Sequence, residues 1–341
     1  MKIAFFSSSR LALPLLEKLN SDFAVKLVVT NADRLVGRCG KLTPSPLKLW
    51  AKENNILCET PTTLKNDAGK SLAEKIKSLE IDLAIVIDYG MLIPEIVFSA
   101  PKFKTINIHF SQLPKYRGPY PDAFVVLNAE KETAVSFVLI DQGFDTGDII
   151  AQIIEPVSGS ETALQLHEKL YEITFQNISY IITSWANWNM NKNYNHNNDY
   201  NLHISLFFPP KKQDNSQASF TKLLCRDDGF IPLTTLQKIT SGQKIELMDL
   251  PKLIKNNASK SLLENTKAFY FLLFAFYLSL FPWPGIWTSI KIQNINKRLK
   301  ILKLHLSREK IIIDKVQLEG KKPVSWKEFS RAYKIFIPVL L

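Results

Sequence analysis

Short apolar runs alternate with stretches of helical periodicity through the first part of this chain, and this alternation limits the folds open to it. The runs Lys2–Phe6 and Val25–Thr30 have the length and β-branched content of buried strands. Apolar residues recur at helical spacing over Leu11–Leu19 between them. Further apolar runs follow at Asp82–Ile87 and Thr105–Phe110. A strand–helix–strand beginning predicts an α/β fold, in which helices cover a mainly parallel sheet.

Ligands of such sheets bind at the carboxyl ends of the strands. No glycine-rich phosphate loop follows the first strand, where Ser7, Ser8 and Ser9 stand, so the sequence argues against a dinucleotide cofactor.

Three polar residues in and after the run that starts at Thr105 have the right types for proton-transfer chemistry. Asn107 and His109 are two positions apart in a β-branched run, so their side chains point to the same face of a strand. Asp145 lies between Gly143 and Gly147, where the backbone can bend close to a ligand. A histidine, an amide and a carboxylate suffice for a proton-transfer site with an oxyanion donor. Each also has a structural interpretation, as a packed histidine, a turn former or a loop cap.

An asparagine-rich stretch divides the chain. Eight of the 15 residues from Asn187 to Asn201 are asparagine, and such a segment cannot bury enough apolar surface to order itself. We therefore predict a domain over 1–186, whose last helix runs from Thr162 to about Trp185, a linker over 187–203 and a second domain over 204–341. Short strands with turn punctuation predict a small barrel in the second domain.

The net charge of +11 is concentrated after the linker. Up to His203 there are 20 Lys and Arg against 22 Asp and Glu, a net charge of −2. From Ile204 the counts are 23 and 10, a net charge of +13. A nearly neutral domain joined to a strongly basic one indicates a small-molecule domain with a polyanion-binding module. The alternative is a solvated basic surface.

The sequence also predicts the compartment. Cys39, Cys58 and Cys225 show neither paired nor metal-ligand spacing, which fits a reducing compartment. The longest apolar run, Ala268–Phe281, is shorter than the ~20 residues of a spanning helix and is predicted to be a buried helix. The amino-terminal apolar run is too short for a signal peptide. These features predict a cytoplasmic protein without membrane contact.

Several motifs recur in the order of a known family. Asn-Ile-His at 107–109, Leu-Pro-Lys-Tyr-Arg-Gly at 113–118 and Asp-x-Gly-x-Asp-Thr-Gly-Asp at 141–148 resemble the folate-dependent formyltransferases. Pro-Trp-Pro-Gly at 282–285 and the run at 317–323 resemble the carboxyl-terminal domain of the tRNA-formylating members. The resemblance implies a Rossmann-like, parallel-sheet formyltransferase domain followed by a smaller OB-like β-barrel domain.

The resemblance also implies an activity, which is formyl transfer from 10-formyltetrahydrofolate to the α-amine of methionyl initiator tRNA by a monomer without a metal. It assigns catalysis to Asn107, His109 and Asp145. The residues it assigns to the folate co-substrate are Tyr89, Gly90, Leu92, Pro94, Asp141 and Gly143. Those it assigns to tRNA and the acceptor are Arg38, Lys41, Ser111, Leu113 and Pro114.

Two other functions stay open. One is formyl transfer to a sugar-nucleotide or glycinamide amine, and the other is a catalytically silent RNA-binding relative. The chain departs from the family's pattern at Ser7–Ser9, at Asp88 and at Pro119–Asp122, where small residues or a Gly-Thr-Pro loop are common. His167 is predicted to be a surface or packing residue of the helix that contains it.

Overall fold

The computed structural model describes residues 1–36, 40–191, 204–241, 243–258, 260–264, 269–307 and 310–333. The chain forms two compact units. The first unit consists of Met1–Gly118, Thr133–Glu155 and His167–Phe220, and the second of Pro119–Glu132, Pro156–Leu166 and Thr221–Leu341.

A mixed sheet forms the first unit and confirms the predicted α/β class. The strands of the described chain are β1 (Lys2–Phe6), β2 (Ala24–Val29), β5 (Leu57–Glu59), β6 (Leu83–Ile87), β7 (Thr105–His109), β8 (Glu132–Leu139), β9 (Ile149–Pro156) and β10 (Ile204–Lys211), with β3 (Arg34–Val36) and β4 (Lys41–Thr43) as a separate hairpin. The eight sheet strands lie in the order β10-β9-β8-β7-β6-β1-β2-β5. Neighbours from β7 to β5 run parallel, whereas β8 is antiparallel to β7 and β10 to β9.

Helices bury the central strands, which explains why those strands are apolar on both faces. On the helix α3 (Asp67–Ser78), Leu72, Ala73 and Ile76 share one face and pack against Phe6 and Val86 of the sheet. The helices of this unit are α1 (Leu13–Asp22), α2 (Pro46–Glu53), α3 (Asp67–Ser78), α4 (Glu95–Phe98) and most of α6 (Ala163–Met190).

The structure differs from the predicted boundaries around the asparagine-rich stretch. α6 continues to Met190, because Trp188 stacks on Trp185 at 5.2 Å and on Phe208 of β10 at 5.9 Å. β10 pairs with β9, so residues 204–211 belong to the first sheet rather than to the start of a second domain. Of the predicted linker, 187–190 are helical and 192–203 lie outside the described residues.

The second unit combines helices with a four-stranded antiparallel sheet in the described residues, which agrees with the small β domain expected there. Its strands are β11 (Ile286–Ile292), β12 (Ile295–Ser307), β13 (Lys310–Leu318) and β14 (Val324–Ser325). Its helices are α5 (Pro121–Leu127), α7 (Leu233–Ser241), α8 (Lys252–Asn257), α9 (Lys260–Glu264), α10 (Phe269–Leu280) and α11 (Trp326–Tyr333).

The apolar run predicted to be a buried helix is α10, which packs against α5. Throughout the part of the chain that the structure describes, no helix has the length and apolar character needed to cross a membrane.

Candidate active site

The carboxylate of Asp145 brings the three candidate catalytic residues together. Asn107 and His109 alternate along β7, so both side chains leave the same face of the strand. The Asn107 Nδ2 donates to Asp145 Oδ1 at 3.1 Å, and His109 Nδ1 lies 3.7 Å from Oδ2. The backbone N–H of Gly118 also donates to Oδ2, at 2.8 Å. Both oxygens of this carboxylate are therefore engaged by the protein.

The other ring nitrogen of His109 is engaged as well. Its Nε2 lies 2.9 Å from the carbonyl oxygen of Tyr116 and carries the hydrogen, because a carbonyl oxygen can only accept. The side chains of His109 and Asp145 are 7 % and 18 % exposed, so the pair is largely shielded from solvent. A substrate that uses Nε2 must therefore displace the Tyr116 carbonyl.

A buried arginine and a glutamine hold the loop that carries Asp145. Arg117 is 2 % exposed and donates through Nε and Nη2 to Gln213 Oε1 at 3.0 and 2.8 Å. Gln213 Nε2 in turn donates to the carbonyls of Asp145 and Gly147, at 2.8 and 2.7 Å. Sequence reasoning missed Gln213, because it follows the asparagine-rich stretch and no motif marks it.

The residues assigned to the folate co-substrate lie on two loops that a hydrogen bond joins. Gln142 Nε2 donates to Glu95 Oε2 at 2.7 Å, which links the loop over 141–148 to the segment over 89–95. On the first loop, Asp141 Oδ1 accepts from the Gly143 N–H at 3.0 Å. Gly143 is also sterically required, since an added Cβ would lie 2.0 Å from Thr146 Oγ1.

The segment that contains Tyr89 to Pro94 exposes an apolar side chain and has open space beside its glycine. The Leu92 side chain is 64 % exposed, and Gly90 has open space where a Cβ would stand. Tyr89 packs edge-on against Phe6 at 5.6 Å, and burial raises the pKa of its phenol. Pro94 precedes α4.

The described residues assigned to tRNA and the acceptor lie in two segments, β4 and the loop that follows β7. Arg38 lies outside the described residues, and Lys41 is exposed on β4. Ser111 is fully buried and donates to the carbonyl of Lys115 at 2.6 Å. Leu113 is 3 % exposed, and a cis peptide joins it to Pro114. Ser111 and Leu113 therefore frame the loop from inside rather than present side chains to a ligand.

A second histidine–carboxylate pair stands at the end of β6. Asp88 Oδ2 lies 3.1 Å from His167 Nε2 and accepts from the Tyr171 hydroxyl at 2.7 Å. Loss of hydration opposes ionisation of Asp88, but the hydrogen bonds from His167 and Tyr171 and the charge interaction with His167 outweigh it. They hold the pKa of the carboxyl below its ordinary value. Phe110 packs edge-on against both aromatic rings, at 5.1 and 5.2 Å. His167 thus packs on its aromatic neighbours, as predicted from sequence, and also contacts the Asp88 carboxylate, which the sequence did not predict.

In the described ranges, no group of three or more His, Cys, Asp or Glu side chains is placed to hold a metal ion.

Comparison with known proteins identifies a family for this chain. Residues 1–181 match the family model described as Formyl transferase. The chain is 29 % identical over 349 residues to the methionyl-tRNA formyltransferase of Clostridium novyi (strain NT), in an alignment that covers 100 % of both proteins. It is 38 % identical over 174 residues to the methionyl-tRNA formyltransferase of Clostridioides difficile (strain 630), covering 51 % of this chain and 55 % of that protein.

The chain also resembles a solved structure over almost its whole length. The crystal structure of WlaRD, a sugar 3N-formyl transferase, matches with a TM-score of 0.52 and 21 % identity. The match covers 94 % of this chain and 99 % of that one. At this level of identity the likeness concerns the fold alone.

Proposed function

This chain belongs to the formyl transferase family, and from that premise we propose that it transfers a formyl group from 10-formyltetrahydrofolate to the α-amine of methionyl initiator tRNA. The observation that carries the proposal is the convergence of Asn107 and His109 on the carboxylate of Asp145. The family supplies the reaction class. The acceptor is suggested by the Clostridium novyi relative, whose name specifies methionyl-tRNA and which aligns over its full length.

In the proposed reaction the amine nitrogen attacks the formyl carbon, a C–N bond forms, and the carbonyl oxygen becomes negative. Asn107 donates a hydrogen bond to that oxygen, and such a donor is worth about 3 kcal/mol. His109 takes the proton that leaves the nitrogen, which requires its Nε2 to release Tyr116 and its own hydrogen to lie on Nδ1. Asp145 then stabilises the imidazolium. The bond to the folate nitrogen breaks, and that nitrogen leaves with the proton that His109 returns to it.

A basic surface on the second unit supports a polyanionic acceptor. Lys300, Lys303 and Lys315 are exposed on β12 and β13, and none of them has a carboxylate partner within the described residues. Lys303 lies directly opposite Lys315 across the ladder, an arrangement that destabilises a sheet unless an anion offsets the repulsion. Nearby, the Arg298 guanidinium stacks over the Trp287 ring at 4.4 Å.

The basic surface predicts how binding depends on salt. Replacing Lys300, Lys303 and Lys315 with Gln should reduce the slope of log affinity for tRNA against log salt by roughly two, because fewer counterions are released. The matched control replaces Lys26, Lys52 and Lys77 with Gln, three exposed lysines of the first unit, and should leave the slope unchanged. Equal slopes in wild type and both triple variants would contradict a role for this surface in tRNA binding.

The decisive experiment supplies the purified protein with 10-formyltetrahydrofolate and competing acceptors. We expect rapid formylation of methionyl initiator tRNA and little formylation of a sugar-nucleotide amine or of glycinamide ribonucleotide. Transfer only to a small amine would replace this proposal with the sugar-nucleotide or glycinamide function. Binding of tRNA without any transfer would indicate an RNA-binding relative. The monomeric state and the cytoplasmic location stay predictions.

A further inference from the structure

The second histidine–carboxylate pair lies beside the candidate catalytic residues. β6 and β7 are parallel neighbours, and Ile87 pairs with Ile108, so Asp88 and His109 follow at the same level of the sheet. On the other side of β6, the N–H of Ser8 donates to the Asp88 carbonyl at 2.9 Å, which fixes the end of β6 to the end of β1. Asp88 therefore stands at the carboxyl edge, where ligands of parallel sheets bind.

The Asp88 carboxylate is held by one oxygen only. His167 and Tyr171, one turn apart on α6, both bind Oδ2. Oδ1 has no hydrogen-bond partner among the residues that the structure describes, and 35 % of the Asp88 side chain is exposed. A carboxylate oriented in this way presents a fixed, negatively charged acceptor to whatever occupies the edge of the sheet.

The backbone at Asp88 also suggests a role beyond packing. Its φ of 47° is in the left-handed region, which a non-glycine residue adopts at a cost. Such positions cluster where the backbone conformation serves a ligand. Asp145, the carboxylate of the candidate catalytic group, has the same feature with a φ of 54°.

We propose that Asp88 is a specificity-determining residue of the acceptor site, whose free oxygen binds the acceptor's amino group next to His109. This inference rests on the proposed function, because it takes an amine as the acceptor. A carboxylate oxygen accepts a hydrogen bond from an ammonium or amine N–H, which holds the nitrogen in place and directs it toward the formyl carbon. His167 and Tyr171 are positioning residues that act through Asp88. An acceptor that has already been formylated offers no charged group to Asp88.

The test compares the binding of two tRNAs that differ only at the amino group, without a formyl donor. The probes are methionyl-tRNA and N-acetylmethionyl-tRNA. Wild type should bind methionyl-tRNA about tenfold more tightly, the effect of one hydrogen bond between charged groups. Asp88→Asn should abolish this preference by weakening the binding of methionyl-tRNA alone. It should leave the KM for 10-formyltetrahydrofolate unchanged.

A matched control variant is Asp22→Asn. Asp22 also accepts a hydrogen bond from α6, from the Ser179 hydroxyl at 2.5 Å, but it lies at the end of α1 rather than at a carboxyl strand end. The control should retain the full preference for methionyl-tRNA. If Asp88→Asn fails to fold, His167→Ala, which removes one hold on the carboxylate, should reduce the preference about threefold.

Three results would overturn the inference. They are equal weakening of both tRNAs by Asp88→Asn, no change in either, and a change confined to the folate KM. Absence of any transfer to methionyl-tRNA by wild type would instead refute the proposed function. In that case the same comparison, made with the small amine that is formylated and with its N-acetyl form, decides the role of Asp88.

Discussion

Two carboxylates at the carboxyl edge of one sheet each face a histidine, and the protein holds them in different ways. Asp145 uses both oxygens within the protein, toward Asn107 on one and toward Gly118 and His109 on the other. Asp88 uses one oxygen, toward His167 and Tyr171 of α6, and leaves the other open. The first arrangement suits a group that orients and stabilises its neighbours, and the second suits a group that meets a ligand.

The largest expected effect separates these two roles. Asp145→Asn should lower kcat for formyl transfer about 1,000-fold, because it removes the charge that stabilises the His109 imidazolium. Asp88→Asn should act mainly on the binding of the amine. Steady-state kinetics with methionyl-tRNA and 10-formyltetrahydrofolate measure both.

Non-additivity provides the control for that comparison. When two residues act as one unit, removing either of them already causes most of the loss in kcat. The double variant of His109→Gln and Asp145→Asn should therefore be scarcely slower than either single variant. In the double variant of Asp88→Asn and Asp145→Asn, the loss of amine binding caused by Asp88→Asn should instead add to the loss in kcat caused by Asp145→Asn. Additive losses in the His109 and Asp145 pair would show that these residues do not work as one group.

The two carboxylates also differ in how far sequence alone can predict their surroundings. Asn107 and His109 are two apart on a β-branched strand, and glycines flank Asp145, so local patterns were enough to group them. His167 and Tyr171 are 79 and 83 residues from Asp88, and Gln213 is 96 residues from Arg117. No local signal encodes such contacts, because they depend on which elements the completed sheet brings together.

The same limit applies to the fold. The strand–helix alternation predicted the α/β class and the central strands, because periodicity reflects burial along one element. It did not predict β10, since that strand is defined by its pairing with β9 and by the packing of Phe208 against Trp188. The linker was predicted from the composition of the asparagine-rich stretch alone. The tertiary contacts on either side of that stretch cannot be read from local sequence.

The second prediction tests whether support for the Asp145 loop is specific to that carboxylate. Gln213→Leu removes the two hydrogen bonds that Gln213 donates to the loop and the acceptor that Gln213 offers to the buried Arg117. The free energy of unfolding should therefore fall by about 3 kcal/mol. Catalysis should fall as well, while the preference for a free amine that Asp88 gives should persist. Chemical denaturation and tRNA binding report the two quantities.

Gln217→Leu is the matched control, because Gln217 is exposed in the same segment and bonds only Asp214 among the described residues. It should change the free energy of unfolding by less than about 0.5 kcal/mol. An equal loss in both glutamine variants would mean that the segment, rather than the hydrogen bonds to the Asp145 loop, sets the stability.

The third prediction concerns a variant that removes one hydrogen bond to Asp88 but keeps its charge. Tyr171→Phe deletes one hydroxyl donor to Oδ2, so we expect a loss of about 1 kcal/mol in the free energy of unfolding. The reaction at the His109 pair should be nearly unaffected at saturating substrate. A fall in kcat as large as that of Asp145→Asn would erase the distinction between the two carboxylates.

The smallest expected effect is the pH dependence of the stability that Asp88 contributes. The pKa of Asp88 is lowered in the folded protein, so its charged form stabilises the fold above the ordinary pKa of about 4, and that stability is lost as pH falls through the folded value. The groups that set this shift are His167, Tyr171 and, at longer range, His109. The difference in unfolding free energy between wild type and Asp88→Asn should therefore be constant from pH 6 to about pH 4.5 and shrink below it. Urea denaturation at a series of pH values measures this difference. A difference that grows toward acid would mean that the contacts to Oδ2 favour the neutral carboxyl, and Asp88 would then lack the charge that its proposed role toward an amine requires.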